Sequence, residues 1–138
     1  MIMKRIVLFF LAVFFGISLQ AQAELPKVTN ADEEGIFVVV ENDPEFPGGT
    51  EALHRYLASN IKYPEQAKAE KIQGRVFVTF VIEKDGTVTN IKVLRDIGGG
   101  CGDEAVRVVQ NMPKWKPGRQ RGRRVRTQFN LPINFNLN

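Results

Sequence analysis

The clearest alternation in the chain runs from Val125 to Leu137. Val125, Thr127, Phe129, Leu131, Ile133, Phe135 and Leu137 take every second position, and Arg126, Gln128, Asn130, Pro132, Asn134 and Asn136 fill the gaps. Successive side chains of a strand point to opposite faces, so this spacing predicts a strand with one buried and one wet face. Pro132 has no N–H to give to a neighbouring strand, which places the segment at a sheet edge. In an antiparallel pair, residues that share a face also aim their backbone groups to the same side. The even-numbered set is therefore expected to point at the open edge, with Pro132 interrupting one bond of that row.

A second pattern spans Gly74 to Arg95. Two runs rich in β-branched and aromatic residues flank Asp85-Gly86, a strong local signal for a hairpin with a two-residue turn. Centring the turn there pairs Lys84 with Thr87, Ile82 with Thr89, Phe80 with Ile91 and Val78 with Val93. Val76, Val78, Phe80, Ile82, Thr89, Ile91 and Val93 would then share the core face. The other face, with Phe77, Thr79, Val81, Glu83, Val88, Asn90, Lys92 and Leu94, is mixed. Cover from a partner, a second copy or another segment is expected there.

Helical spacing appears in three places. Thr50 can cap a helix to about Ser59 with Leu53, Tyr56 and Leu57 on its buried stripe. A short helix is expected from Pro64, suited to the first helical position, to about Lys71, with Ala67, Tyr63 and Ile72 as contacts. Asp103 can cap a third through Met112, with Ala105, Val108 and Val109 recurring at helical spacing. Ile36–Val40 reads as a short strand, and residues 42–49, with two prolines and two glycines, break regular structure. Gly98–Gly102 is expected to be a loop, and Trp115 to dock at the edge of the core.

The 138 residues leave room for one domain. Met1–Ala23 has the make-up of a secretory signal: Lys4-Arg5, an apolar stretch from Ile6 to Ile17, and Ala21-Gln22-Ala23 as cleavage site. That stretch is shorter than the roughly 20 residues a spanning helix needs; an uncleaved anchor is the alternative. The division expected is a signal over 1–23, a leader with a short strand over 24–49, and a folded domain over 50–138. Without residues 1–23, 17 basic residues face 15 acidic ones, so the whole-chain charge of +4 falls to +2. The basic residues are unevenly placed. No acid follows Glu104, while Lys114, Lys116, Arg119, Arg121, Arg123, Arg124 and Arg126 crowd together. A lone Cys in an exported chain excludes an internal disulfide framework, so the core must hold the fold.

Candidate catalytic chemistry is sparse, and no enzyme activity is expected. His54 sits beside Glu51 and Arg55 with no recognisable nucleophile, which favours a structural role over a general base. Cys101 follows three glycines near a helix start, a setting that can lower a thiol pKa. With no matching His or second Cys, a loop position or an intermolecular bridge is the better reading. One His and one Cys do not make a metal site. The glycine loop lacks the spacing and the Lys-Ser/Thr of a phosphate-binding loop. The basic run admits single-stranded nucleic acid formally, but the export signal and the lack of a stacking row of aromatics argue against it. A solvated turn, or attraction to an acidic peptide or headgroups, remains. An open strand edge has the most direct use, because its unpaired backbone groups can accept an extended peptide as a further strand. Self-pairing into a dimer would use the same bonds.

Several separated motifs, in order, resemble the TonB C-terminal domain, in its Bacteroidetes-type form. They are Tyr63-Pro64 with Ala67, Gly74-Arg75-Val76-x-Val78-x-Phe80-x-Ile82 with Asp85-Gly86 and Val88, and Asp103-Glu104-Ala105 leading to Trp115-x-Pro117-Gly118. Leu131-Pro132-Ile133-Asn134-Phe135 and the leader Pro44-x-Phe46-Pro47-Gly48-Gly49 complete the set. The resemblance covers about residues 37–138. It implies an α+β fold: a three-stranded antiparallel sheet, the hairpin plus a C-terminal edge strand, with helices packed on one face. It also implies a role in passing inner-membrane energy to outer-membrane receptors, in which the domain takes the receptor's N-terminal TonB box as an added strand; no cofactor is expected.

The partner-binding residues implied are Asn60, Tyr63 and Pro64, with Arg126, Gln128, Asn130, Asn134 and Asn136 on the strand. A periplasmic location follows, with inner-membrane energising proteins as further partners if the N-terminus is retained as an anchor. A homodimer without energy transduction is the alternative. Two departures stand out. Energy-transducing members carry an anchor and a long proline-rich spacer, whereas the 26 residues from Glu24 to Gly49 span at most about 90 Å. Gly102 separates Cys101 from Asp103, which is expected to lengthen the loop there.

Overall fold

The computed structural model describes residues 35–137, so the expected signal and the first part of the leader, residues 24–34, lie outside the described residues. The elements are β1 (Ile36–Phe37), α1 (Thr50–Asn60), α2 (Glu65–Ala69), β2 (Gly74–Ile82), β3 (Val88–Arg95), α3 (Cys101–Gln110), β4 (Gly118–Gln120) and β5 (Arg123–Phe135). The class is α+β, as expected. The sheet differs in strand number, having five strands rather than three, in the order β1-β5-β2-β3 with β4 also on β5. The hairpin β2–β3 and β5 form the expected antiparallel frame with β2 central. Of the Ile36–Val40 run only the first two residues pair, in parallel with Arg126 and Thr127 of β5. Val38 and Val39 are exposed instead.

β2 and β5 run in unbroken register from Gly74↔Phe135 to Ile82↔Thr127. Period-two alternation on both strands then sets Val76, Val78, Phe80 and Ile82 beside Thr127, Phe129, Leu131, Ile133 and Phe135. Leu53 and Leu57 of α1, Ala67 of α2, and Ala105, Val108 and Val109 of α3 close over that face in a single cluster. All three helices therefore pack on one side of the sheet. Trp115 lies inside the core rather than at its edge, 4% exposed and against Phe46, Phe80 and Phe129. On the other face Val81 and Thr79 are also buried. Their cross-strand neighbours lie over them, with Gln128 Nε2 donating to Thr79 Oγ1 at 3.1 Å.

The hairpin keeps its expected register only in the middle, at Val78↔Val93 and Thr79↔Lys92. Towards the turn the pairs are Val81↔Thr89 and Ile82↔Val88, and Asn90, at φ +50°, is the extra residue of a bulge. One added residue reverses the faces beyond it, so Val88 packs on the core while Thr89 turns to Glu83 on the far side. The turn is correspondingly a five-residue loop, Glu83–Thr87, in which only Gly86 has positive φ. A Cβ on Gly86 would lie 2.0 Å from the Trp115 carbonyl oxygen. The loop can thus receive the Trp115 N–H on the Gly86 carbonyl, at 2.8 Å, only with glycine there.

Helix ends depart from expectation at each start. Gly49, not Thr50, precedes α1, and no side chain caps it. Pro64 stands before α2, which stops at Ala69, and the Pro64 carbonyl accepts the Lys68 N–H at 3.0 Å. α3 begins at Cys101 and ends at Gln110, so Asp103 lies within its first turn and is not its cap. Asp96 takes the capping role from outside: its Oδ1 accepts the N–H groups of Ile97, Gly98 and Gly102 at 2.7, 3.0 and 3.1 Å. Gly102 is therefore helical, and it is glycine because a Cβ would lie 2.2 Å from Asp96 Oδ2. It does not lengthen a loop.

Candidate functional site

β5 is the longest strand, and its two sides differ. Towards the sheet it pairs with β2 from Thr127 to Phe135. Its N-terminal end also carries β4, at residues 123–125, and β1, at residues 126 and 127. From Gln128 to Phe135, among the described residues, β2 is the sole strand neighbour. The expected open edge is therefore present over eight residues rather than over the whole strand, because the leader and the β4–β5 hairpin occupy its start.

A groove of about 410 Å³ borders this stretch. One wall is α1, through His54, Leu57, Ala58 and Ile61; the other is Pro132 and Asn134 of β5 with Arg75 of β2. α1 belongs to the helix layer, whereas Pro132, Asn134 and Arg75 lie on the opposite face of the sheet. A cavity touching both must pass around β5, and it does so on the side away from β2 and β3.

The strand residues expected to bind a partner are on this far face, in distinct states. Arg126 is engaged: its Nε and a terminal nitrogen donate to the two Glu83 carboxylate oxygens at 2.7 and 3.0 Å. That bidentate bond holds the Glu83 carboxyl below the usual carboxylate range, against a smaller opposing effect of burial. Gln128 is tied to Thr79, Asn130 and Asn136 are exposed, and Asn134 Oδ1 accepts from Arg75 Nε at 3.0 Å.

The other three residues act at the end of the helix layer. The Tyr63 ring packs edge-on against Phe135, centroids 5.7 Å apart, and its hydroxyl donates to the Ile72 carbonyl. Pro64 faces Gly100, just ahead of α3. Asn60 ends α1, where its carbonyl accepts an Arg107 N–H at 2.8 Å. Tyr63 alone of these three touches the strand. The groove residues His54, Leu57, Ala58, Ile61 and Arg75 were not legible as site residues, since only the β2–β5 register and the α1 packing bring them to β5. Pro132 carried a signal, its missing N–H.

The other candidates do not build a site. Cys101 is fully buried at the start of α3, which excludes both the loop position and the intermolecular bridge. Burial, assisted by the nearby Asp96 carboxylate, pushes its thiol pKa up, so the reactive thiolate is disfavoured. His54 lines the groove on the exposed side of α1. Glu104 joins the two helix ends: it accepts the Lys62 N–H and pairs with Arg107. No group of three or more His, Cys, Asp or Glu side chains converges among the described residues.

The fold and site thus define a small α+β module with helices on one face and a free strand margin at its C-terminal end. The sequence profile of the Gram-negative bacterial TonB protein C-terminal family matches residues 59–137. The chain belongs to that family. It is 43% identical over 54 residues to Protein TonB of Pseudomonas aeruginosa, a match that covers 39% of this chain and 15% of that protein. The chain thus spans a small part of that relative's length. Two solution structures of the Helicobacter pylori TonB C-terminal domain are similar at 24% identity and a TM-score of 0.48. One match covers 62% of this chain and 89% of the other, the second 67% and 87%.

Proposed function

We propose that this chain is a periplasmic TonB-like binding module that takes an extended segment of a TonB-dependent outer-membrane receptor as an added strand on β5. The role supports energy-coupled transport across the outer membrane and involves no catalysis. One observation carries the reading: over Gln128–Phe135 β5 is paired on one side only, beside a groove that reaches around it. Strand addition draws its affinity from backbone bonds and its specificity from pockets for alternate side chains, and this place offers both. In this reading the even-numbered residues of β5 present their backbone groups to the partner, and Asn130 sits mid-way along the row. Tyr63 holds the end of the strand through Phe135, and Asn60 and Pro64 set the helix layer beside it. Force transmission then depends on an anchor, supplied either by a retained N-terminus or by a separate protein.

The test is Asn130→Pro. An edge proline with its nitrogen facing outward is tolerated by the sheet but removes a donor and obstructs an added strand. A peptide copying the periplasmic N-terminus of a cognate receptor should bind the variant at least about tenfold more weakly, with the urea midpoint little changed. Equal binding would refute strand addition on this side. A wild-type protein that dimerises through β5, and binds no receptor peptide, would establish the dimer instead. Intact-mass analysis of the exported protein, with a start at Glu24 expected, decides between the free and anchored forms.

A further inference from the structure

We propose that the groove beside β5 is a subsite for one carboxylate side chain, Asp or Glu, of the incoming strand, with Arg75 as its principal contact. The inference rests on strand addition to β5 and adds the chemistry of the residue that the partner must present.

Arg75 is an exposed guanidinium with one of its donors already used. Its Nε–H bonds Asn134 Oδ1 at 3.0 Å, and the pair are direct cross-strand neighbours, Arg75↔Asn134. A guanidinium is planar and carries five N–H groups in a fixed fork, so that single bond orients the plane and leaves the terminal donors for another acceptor. No acid supplies one. The ion pairs of the described residues join Lys68 to Glu65, Arg107 to Glu104 and Arg126 to Glu83. No Asp or Glu lines the groove.

The remaining polar groups point the same way. With its carbonyl oxygen committed to Arg75, Asn134 has its amide N–H groups left to offer. His54 stands on the opposite wall. Pro132 between them contributes no donor or acceptor from its side chain. Arg75 and Asn134 thus offer N–H donors in a groove that no Asp or Glu lines, and a carboxylate is the protein side chain that only accepts. Leu57, Ala58 and Ile61 supply an apolar wall for the aliphatic part of that side chain or for its neighbour two residues along the strand.

The experiment is a selection of random octapeptides, displayed in a library, against the full chain, followed by affinity and amide-exchange measurements on the enriched peptides. Enriched peptides should carry Asp or Glu at one fixed position and protect the outward amides within residues 128–135, those of Gln128, Asn130 and Asn134. Replacing that acid by its amide should weaken binding about threefold to fivefold at low salt, as for an exposed ion pair, and less as salt rises. The preference should disappear in Arg75→Gln, persist in part in Arg75→Lys, and leave the protection of 128–135 in place. Peptides that protect 128–135 without an acidic position, or whose acid preference survives Arg75→Gln, would overturn the subsite and leave strand addition standing. If no enriched peptide protects 128–135, strand addition fails and the subsite falls with it.

Discussion

β3 and β5 are the two outer strands of the same antiparallel frame, each hydrogen-bonded to the central β2, yet they are built in opposite ways. β5 keeps one register with β2 for nine consecutive pairs, from Phe135 to Thr127. β3 slips twice over a shorter span, between Thr79 and Val81 and again between Phe77 and Val78. Asn90, held at φ +50°, makes the first slip, and Leu94, 60% exposed, falls in the second. A bulged edge is twisted and irregular and offers a poor template to a foreign strand, a common protection of sheet margins. Lys92 and Arg95 add exposed charge to the same strand. The difference teaches that the two margins are not equivalent templates: in the proposed strand addition, disabling one edge would direct a partner as much as offering the other. β1 and β4 shorten the usable part of β5 further, to the eight residues beside the groove.

Four substitutions or deletions break or sharpen this contrast. The largest effect lies in the core common to both strands. Phe80 is fully buried under Trp115 and Phe129, so Phe80→Ala should cost about 3–5 kcal/mol in urea unfolding and weaken both edges together. Next is the loop that joins β2 to β3. Gly86→Ala would force a positive φ on alanine and drive its Cβ into the Trp115 carbonyl, with an expected loss of about 2–4 kcal/mol. Unchanged unfolding midpoints in either variant would show that the packing described is not what holds the frame.

Two further changes have smaller effects on stability. Glu83, whose pKa is lowered chiefly by its hydrogen bond to Arg126, ties the hairpin loop to the start of β5. A carboxyl with a depressed folded pKa contributes stability above its unfolded value, near 4.3, and loses it as pH falls through the folded value. Glu83→Gln should therefore cost about 1 kcal/mol at pH 7 and less at pH 3, as read from paired urea titrations. A difference that stays constant with pH would remove the ion pair from the explanation. Smallest in stability, but most direct for the contrast, is deletion of Asn90. The deletion would align Phe80 with Ile91 and keep every side chain on its present face. Stability should change by less than about 1 kcal/mol, because the strained residue is lost as the bulge closes. The β3 edge, then regular from Val88 to Val93 with only the slip at Leu94 left, should self-associate in sedimentation velocity, or bind a second peptide. A deletion variant that stays monomeric with one site would show that the bulge is not what protects β3.

How much of this was legible follows from the range of each interaction. The alternation of β5 and β2, the edge position marked by Pro132, and the apolar stripes of α1 and α3 are written in local spacing. Burial must follow the period of each element, so these could be read along the chain, whereas the packing of the helices on one face was implied by the family resemblance. Asn90 could not be read as a bulge, since nothing in the residues around it distinguishes a bulged ladder from a straight one until β2 and α3 are in place. The same holds for Cys101, which looks like a loop thiol beside its glycines and is buried because it opens α3, which packs into the core cluster. Arg75 and Asn134 stand 59 positions apart and meet through the β2–β5 register. Local order determined which faces are apolar and where a strand could lack a neighbour. The tertiary structure decided which edge stays regular and which side chains surround it, because register and helix docking are settled by contacts between distant segments.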